Sequence, residues 1–190
     1  MPEPTPYAGS VAIPLPDDAA YRRVIGTAYD PDKTLHVVKM LAGTEDMYGP
    51  AIGLIKAVFS AEGVEPKLRQ MIILRTAKVL NVPYEWQANV SLSRNNGLTD
   101  VEIAAAASDG PVEEIAPDFV LACRAVDEMA HAGTLTDATL ASLLDRYGSV
   151  VTRKLVLILG WFSLLSLFLN GCRVPMETTD KIGSMTSPLG

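Results

Sequence analysis

Residues 68–102 read LRQMIILRTAKVLNVPYEWQANVSLSRNNGLTDVE, and this stretch decides the fold. Pro66 suits the first turn of a helix, because its missing N–H would have no intrahelical partner there. Stepping about 100° per residue from Pro66 puts Leu68, Ile72, Arg75 and Val79 near one line, and Gln70, Leu74, Ala77 and Asn81 near another. Only the arc around Lys78 is left for water, so the helix predicted over 66–81 is largely buried. Val82-Pro83 breaks it, and a second helix runs over 84–96 until Gly97 supplies a left-handed C-cap. Thr99-x-x-Glu102 is a capping box that starts a third helix over 100–108.

The pattern holds outward from this core. Further helices are expected over 17–29, capped by Asp17 or Asp18, and over 33–42, 45–62, 118–131, 137–147 (capped by Thr136) and 149–170. Gly110 and two prolines make 109–117 a loop. No stretch alternates polar and apolar residues at the period of a strand, so the chain reads as all-α, with short links favouring antiparallel neighbours. Residues 1–16 hold five prolines and read as an extended N-terminal arm without a signal-peptide pattern. Residues 17–178 form one helical domain, and the polar tail from Met176, 179–190 above all, is expected to be loose.

Composition narrows the function. Of 190 residues, 48% are hydrophobic, enough for a sizeable core. A net charge of −6 with no basic stripe argues against a nucleic-acid partner. Leu155–Leu169 is apolar but shorter than the roughly 20 residues a spanning helix needs, and is read as a buried core helix or an oligomer seam, not a membrane span. Cys123 and Cys172 are isolated, which fits buried thiols in a reducing, cytoplasmic setting. With only two histidines, His36 and His131, no metal site is suggested, and no cofactor is called for.

Leu68-Arg69, Leu74-Arg75, Ala77, Tyr84-Glu85-Trp86, Gly97-Leu98-Thr99 and Glu102 together resemble the core of the carboxymuconolactone decarboxylase / alkyl hydroperoxidase D-like family. The flanks LHVVKMLAGT (35–44) and GWFSLLSLFLNGCRVPME (160–177) resemble the family's opening and closing helices. The resemblance implies an all-α, antiparallel helical bundle of the alkyl hydroperoxidase D-like type. It also implies a small-molecule substrate, and homo-oligomers such as trimers or hexamers.

The departures from the family pattern bear on chemistry. Its peroxidase members carry a Glu twelve residues before a CxxC, and a His four after it; here the four places hold Gln70, Val82, Glu85 and Asn89. Without a thiolate, thiol peroxidase chemistry has no nucleophile. Decarboxylase-type members follow Y-E-W with one or two His, where this chain has Ala88 and Asn89. A Glu–His proton relay is thus replaced by a Gln–Asn pair that keeps hydrogen-bonding shape and loses the titrating protons.

On the 84–96 helix Glu85, Asn89, Leu92, Ser93 and Asn96 share one arc, which Trp86 and Val90 extend, while Gln87, Ser91 and Arg94 lie opposite. One reading places Glu85 in a pocket as general acid or base, its pKa raised by burial, with Gln70 and Asn89 as oxyanion donors. Tyr84, Trp86, Ser93 and Arg75 are the candidate substrate-binding residues. The competing reading pairs Glu85 with Arg75 or another Arg, and makes Tyr84 and Trp86 core anchors. The first reading is a carbon–carbon lyase of decarboxylase type, or a related isomerase, on a small carboxylated or lactone-like substrate. The second is a non-catalytic binding or assembly protein on an inactivated scaffold.

Overall fold

The computed structural model describes residues 3–190, and among them every regular element is helical. The helices are α1 (Asp18–Ile25), α2 (His36–Ala42), α3 (Tyr48–Phe59), α4 (Pro66–Val79), α5 (Pro83–Asn95), α6 (Asp100–Ala106), α7 (Pro117–Ala132) and α8 (Asp137–Cys172). Short 3-10 turns at Gly26–Ala28 and Glu45–Met47 take the ends of two segments expected to be α-helical throughout.

Local chemistry sets the boundaries. Asp17 caps α1 by accepting from Ala20 N, and Thr136 caps α8 by accepting from Thr139 N. Both halves of the Thr99–Glu102 capping box form at α6. Pro66, Pro83 and Pro117 occupy the first turns of α4, α5 and α7. The α4–α5 corner turns on Asn81, held at φ 51°, so that Val82 N reaches back to Ala77 O. Gly97 plays the same part after α5 at φ 91°, with Leu98 N donating to Ser93 O. Gly148, at φ 71° and ψ 169°, bends α8 between the two segments expected at 137–147 and 149–170.

Helix α4 is the hub. Residues 68–77 are all buried, and α4 packs against α5, α6, α7 and α8. Burying side chains such as Met71, Ile73 and Leu74, each wholly hidden, contributes on the order of 2 kcal/mol apiece. The second half of α8 supplies Leu155, Ile158, Leu159, Phe162, Leu165 and Leu169 to the same core. By length and composition α8 alone, among the described residues, could cross a membrane, yet half of its most apolar stretch is buried in the bundle.

The chain ends lie along this body. Of the arm at 1–16, residues 1–2 are outside the described residues; the remainder is non-helical and bound at intervals. Thr5 N donates to Asn81 Oδ1, Arg173 Nη1 to Val11 O, and Ile13 N to Cys172 O. The tail departs from the loose segment expected. Ile182 is buried, and Met185 and Leu189 pack on the core. Asn95 Nδ2 donates to Gly183 O and Met185 O, and Asn96 Nδ2 to Thr186 O. The physical reason is that Asn95 and Asn96, at the end of α5, satisfy tail carbonyls that polar composition alone leaves to water.

Candidate active site

Glu85 lies in the first turn of α5 and is 5% exposed. Its carboxylate has one side-chain partner: Asn89, one turn on, donates from Nδ2 to Glu85 Oε1 at 3.1 Å and to Glu85 O at 2.9 Å. Burial pushes the Glu85 pKa up to about 7, against the smaller downward pull of the Asn89 hydrogen bond. No cation forms an ion pair with it among the described residues. Glu85 and Asn89 face a void of about 20 Å³ whose other walls include Leu35, Ile55, Phe59, Leu92, Phe162 and Leu165. A space of that size holds a water molecule and little more.

Gln70 does not join this wall. It is fully buried, accepts from Ser93 Oγ at 3.2 Å, and leaves its own Nε2 without a partner. Ser93 follows Asn89 by one turn, so Glu85, Asn89 and Ser93 form a polar ladder on α5 of which only the first two face the void. The expected trio of one carboxylate and two amides around one cavity is therefore a Glu85–Asn89 pair and a separate Gln70–Ser93 pair.

Arg75, expected among the substrate-binding residues, lies away from the void. Its Nε and Nη2 grip both oxygens of Asp127, at 2.7 and 2.9 Å. Nη1 donates to Ala106 O, Ser108 O and Ser108 Oγ, and Nη2 to Gly110 O. All of the guanidinium's donor edges are spent on tying α4 to α7 and to the loop after α6, which also leaves none for Glu85. Trp86 turns to a surface groove of about 520 Å³ shared with Pro4, Pro6, Tyr7, Pro83 and Val90, not to the void.

Tyr84 is wholly buried, with its ring in the cavity wall. Its hydroxyl accepts from Val37 N at 3.0 Å and donates to Glu177 Oε1 at 2.7 Å. Glu177 also accepts from His36 N, pairs with Lys181 Nζ at 2.9 Å and lies 3.6 Å from His36 Nε2. Burial raises the Glu177 pKa, but the hydrogen bonds from His36, Lys181 and Tyr84 outweigh it and the net shift is downward. Tyr84 itself is raised well above its usual value, by burial first and the Glu177 charge second. This network locks the residue next to Glu85 to the start of α2 and to the tail.

Three further residues bear on the site, and the sequence alone gives none of them a role in it. Tyr7, from the arm, has its phenol pushed up to about 12, by burial first and by the nearby Glu85 charge second. Arg69 is 4% exposed and pairs with no carboxylate; it stacks 4.4 Å above the Phe59 ring and donates to Phe59 O. Burial lowers its pKa. Glu177 belongs to the quoted VPME ending, and its acidic side chain after a proline was the available signal. The thiols stand apart: burial pushes Cys123 up to about 12 and raises Cys172.

Residues 47–128 match the sequence model described as the carboxymuconolactone decarboxylase family, and this segment is a domain of that family. It runs from the start of α3 into α7 and contains Glu85, Asn89, Gln70 and Ser93. The α2, α8 and tail residues that complete the cavity lie outside it. No curated protein and no solved structure matches the chain.

Proposed function

We propose that this chain carries out metal-free, non-redox acid–base chemistry on a small carboxylated or lactone-like substrate, with Glu85 as the proton carrier. The observation that carries this reading is a carboxyl group held out of water in an apolar wall and unpaired with any cation among the described residues, a setting that pushes its pKa up to about 7. Such an acid is protonated and deprotonated with equal ease at neutrality, which suits general catalysis. In a decarboxylation the C–C bond breaks with release of CO2, and its electron pair becomes an enolate. Glu85 then delivers its proton to the enolate carbon, and solvent returns one to the carboxylate. Asn89 donates its two amide hydrogens to Glu85 O and Oε1, and on this reading the one on Oε1 transfers to the enolate oxygen when substrate binds. Gln70 acts through Ser93 as a positioning residue for the same helix face.

The test is Glu85→Gln assayed for CO2 release from lactone carboxylates, alongside its circular dichroism. Turnover should fall about 100-fold or more with the fold intact. Near-normal turnover overturns the assignment and favours the rival reading, a non-catalytic scaffold, for which the small size of the void, about 20 Å³, is the supporting observation.

We also propose that the chain self-associates through the outer face of α8. Val150, Leu157, Leu164 and Leu167 are each more than half exposed, and with the exposed Arg153, Gly160 and Gly171 they repeat at alternating steps of three and four residues. That is the seam spacing of packed helices, and the two glycines allow close approach.

A further inference from the structure

Pro188 stands in two walls at once. It lines the void at Glu85, and it lines a surface groove of about 500 Å³ between the α1–α2 connection, α2 and α3. The other residues around the void sit on helices, or in the case of Leu35 at a helix cap. Pro188 alone comes from the tail. The clamp of Asn95 and Asn96 grips the tail at Gly183, Met185 and Thr186. Beyond it, among the described residues, Ser187, Leu189 and Gly190 hydrogen-bond to one another and to no helix. Past the clamp, this part of the wall is held to the helices by packing, chiefly of Leu189 on the core, and not by hydrogen bonds to them. A void of about 20 Å³ admits no organic substrate, whereas a groove of about 500 Å³ is of ordinary ligand size.

We propose that the groove is the seat of the substrate, that residues 187–190 must swing aside to connect it with Glu85, and that Pro188 sets the size of the group admitted. The proposal rests on Glu85 being the reacting acid. The groove also names a ligand class. Ile25, Val38, Tyr48 and Ile52 give it apolar walls. Lys33 is drawn to Asp30, while Lys56 faces the groove with no carboxylate paired to it. An apolar body with one anionic end fits: the anion at Lys56, the reacting end toward Glu85.

Dicyclohexylcarbodiimide, which reacts with protonated carboxyls in apolar sites, reads access to Glu85 without any catalytic assay. The full chain is treated at pH 6, and adducts at Glu85 are quantified by mass spectrometry. Pro188→Gly, and separately Asn95→Ala with Asn96→Ala, should each raise the labelling rate about tenfold at an unchanged melting temperature. Wild-type labelling rates in the folded variants overturn the partition; should the clamp variant fail to fold, Pro188→Gly alone decides. In Pro188→Gly, 2-naphthoate should slow the labelling, and Lys56→Met should weaken that protection at least fivefold. Protection that is absent, or indifferent to Lys56, overturns the groove as the ligand's seat. Loss of the catalytic reading shows separately, as near-normal turnover in Glu85→Gln while Glu85 itself, in the wild type and in Pro188→Gly, labels as expected.

Discussion

Asn89 Nδ2 donates to Glu85 Oε1 at 3.1 Å, and this is the one side-chain hydrogen bond that favours the charged form of that buried carboxyl. Because the bond pulls the Glu85 pKa down while burial pushes it up, its removal has a definite sign. Asn89→Leu should move the Glu85 titration above its present value of about 7, and Asn89→Asp should move it higher still by adding a like charge. The shift is read from the side-chain carbonyl resonance of labelled Glu85 across a pH series. A downward shift in either variant contradicts the assignment.

Stability should depend on pH through the same group. The folded pKa, about 7, lies above the ordinary value of 4.5, so folding favours the protonated form. This contribution is fully present below pH 4.5 and is lost as pH rises through 7, where the buried charge must be tolerated. The difference is on the order of 3 kcal/mol at most. Urea titrations of the wild type at pH 5 and pH 8 should show it, and Glu85→Gln should show a correspondingly smaller difference.

Arg75 and Asp127 give a prediction of opposite character. Asp127→Ala leaves the Arg75 guanidinium buried with carbonyls and the Ser108 hydroxyl but no anion, and breaking a buried pair by removing one partner costs about 3 kcal/mol. Chemical denaturation should register that loss. Any residual turnover per folded molecule should be unchanged, because neither side chain lines the Glu85 void. Activity lost out of proportion to folded protein would contradict the structural role.

The α8 seam is tested by charge. Leu157→Glu with Leu164→Glu places carboxylates at two exposed positions one heptad apart, without touching the core. Sedimentation velocity should show the wild type as a homo-oligomer and the double variant as a smaller species of equal helicity. A monomeric wild type would refute the seam.

Much of the fold is legible in the sequence because its punctuation is local. The break at Val82-Pro83, the capping box at Thr99 and the bend at Gly148 all follow from short-range backbone chemistry, and all are observed. The site is less legible, because helical periodicity states which face a residue occupies and not which partner it meets. Gln70 and Asn89 both face inward, yet Gln70 spends its oxygen on Ser93, out of the void. Glu85 and Arg75 are both buried, yet Asp127, fifty-two residues from Arg75, takes the guanidinium. Pro188 and Tyr7 reach the site from segments with no periodicity, so nothing in their spacing marks them.

The guanidinium of Arg75 does more than spend its donors. By lashing two helices and the loop after α6 to one planar group, it makes that side of the molecule a rigid keel. Breathing of the bundle is then expected where α2, α3 and the tail meet, away from that clamp. Amide exchange should be slowest in α4 and α7 and fastest across residues 183–190, and that asymmetry would let a small ligand enter without the hub of the fold coming apart.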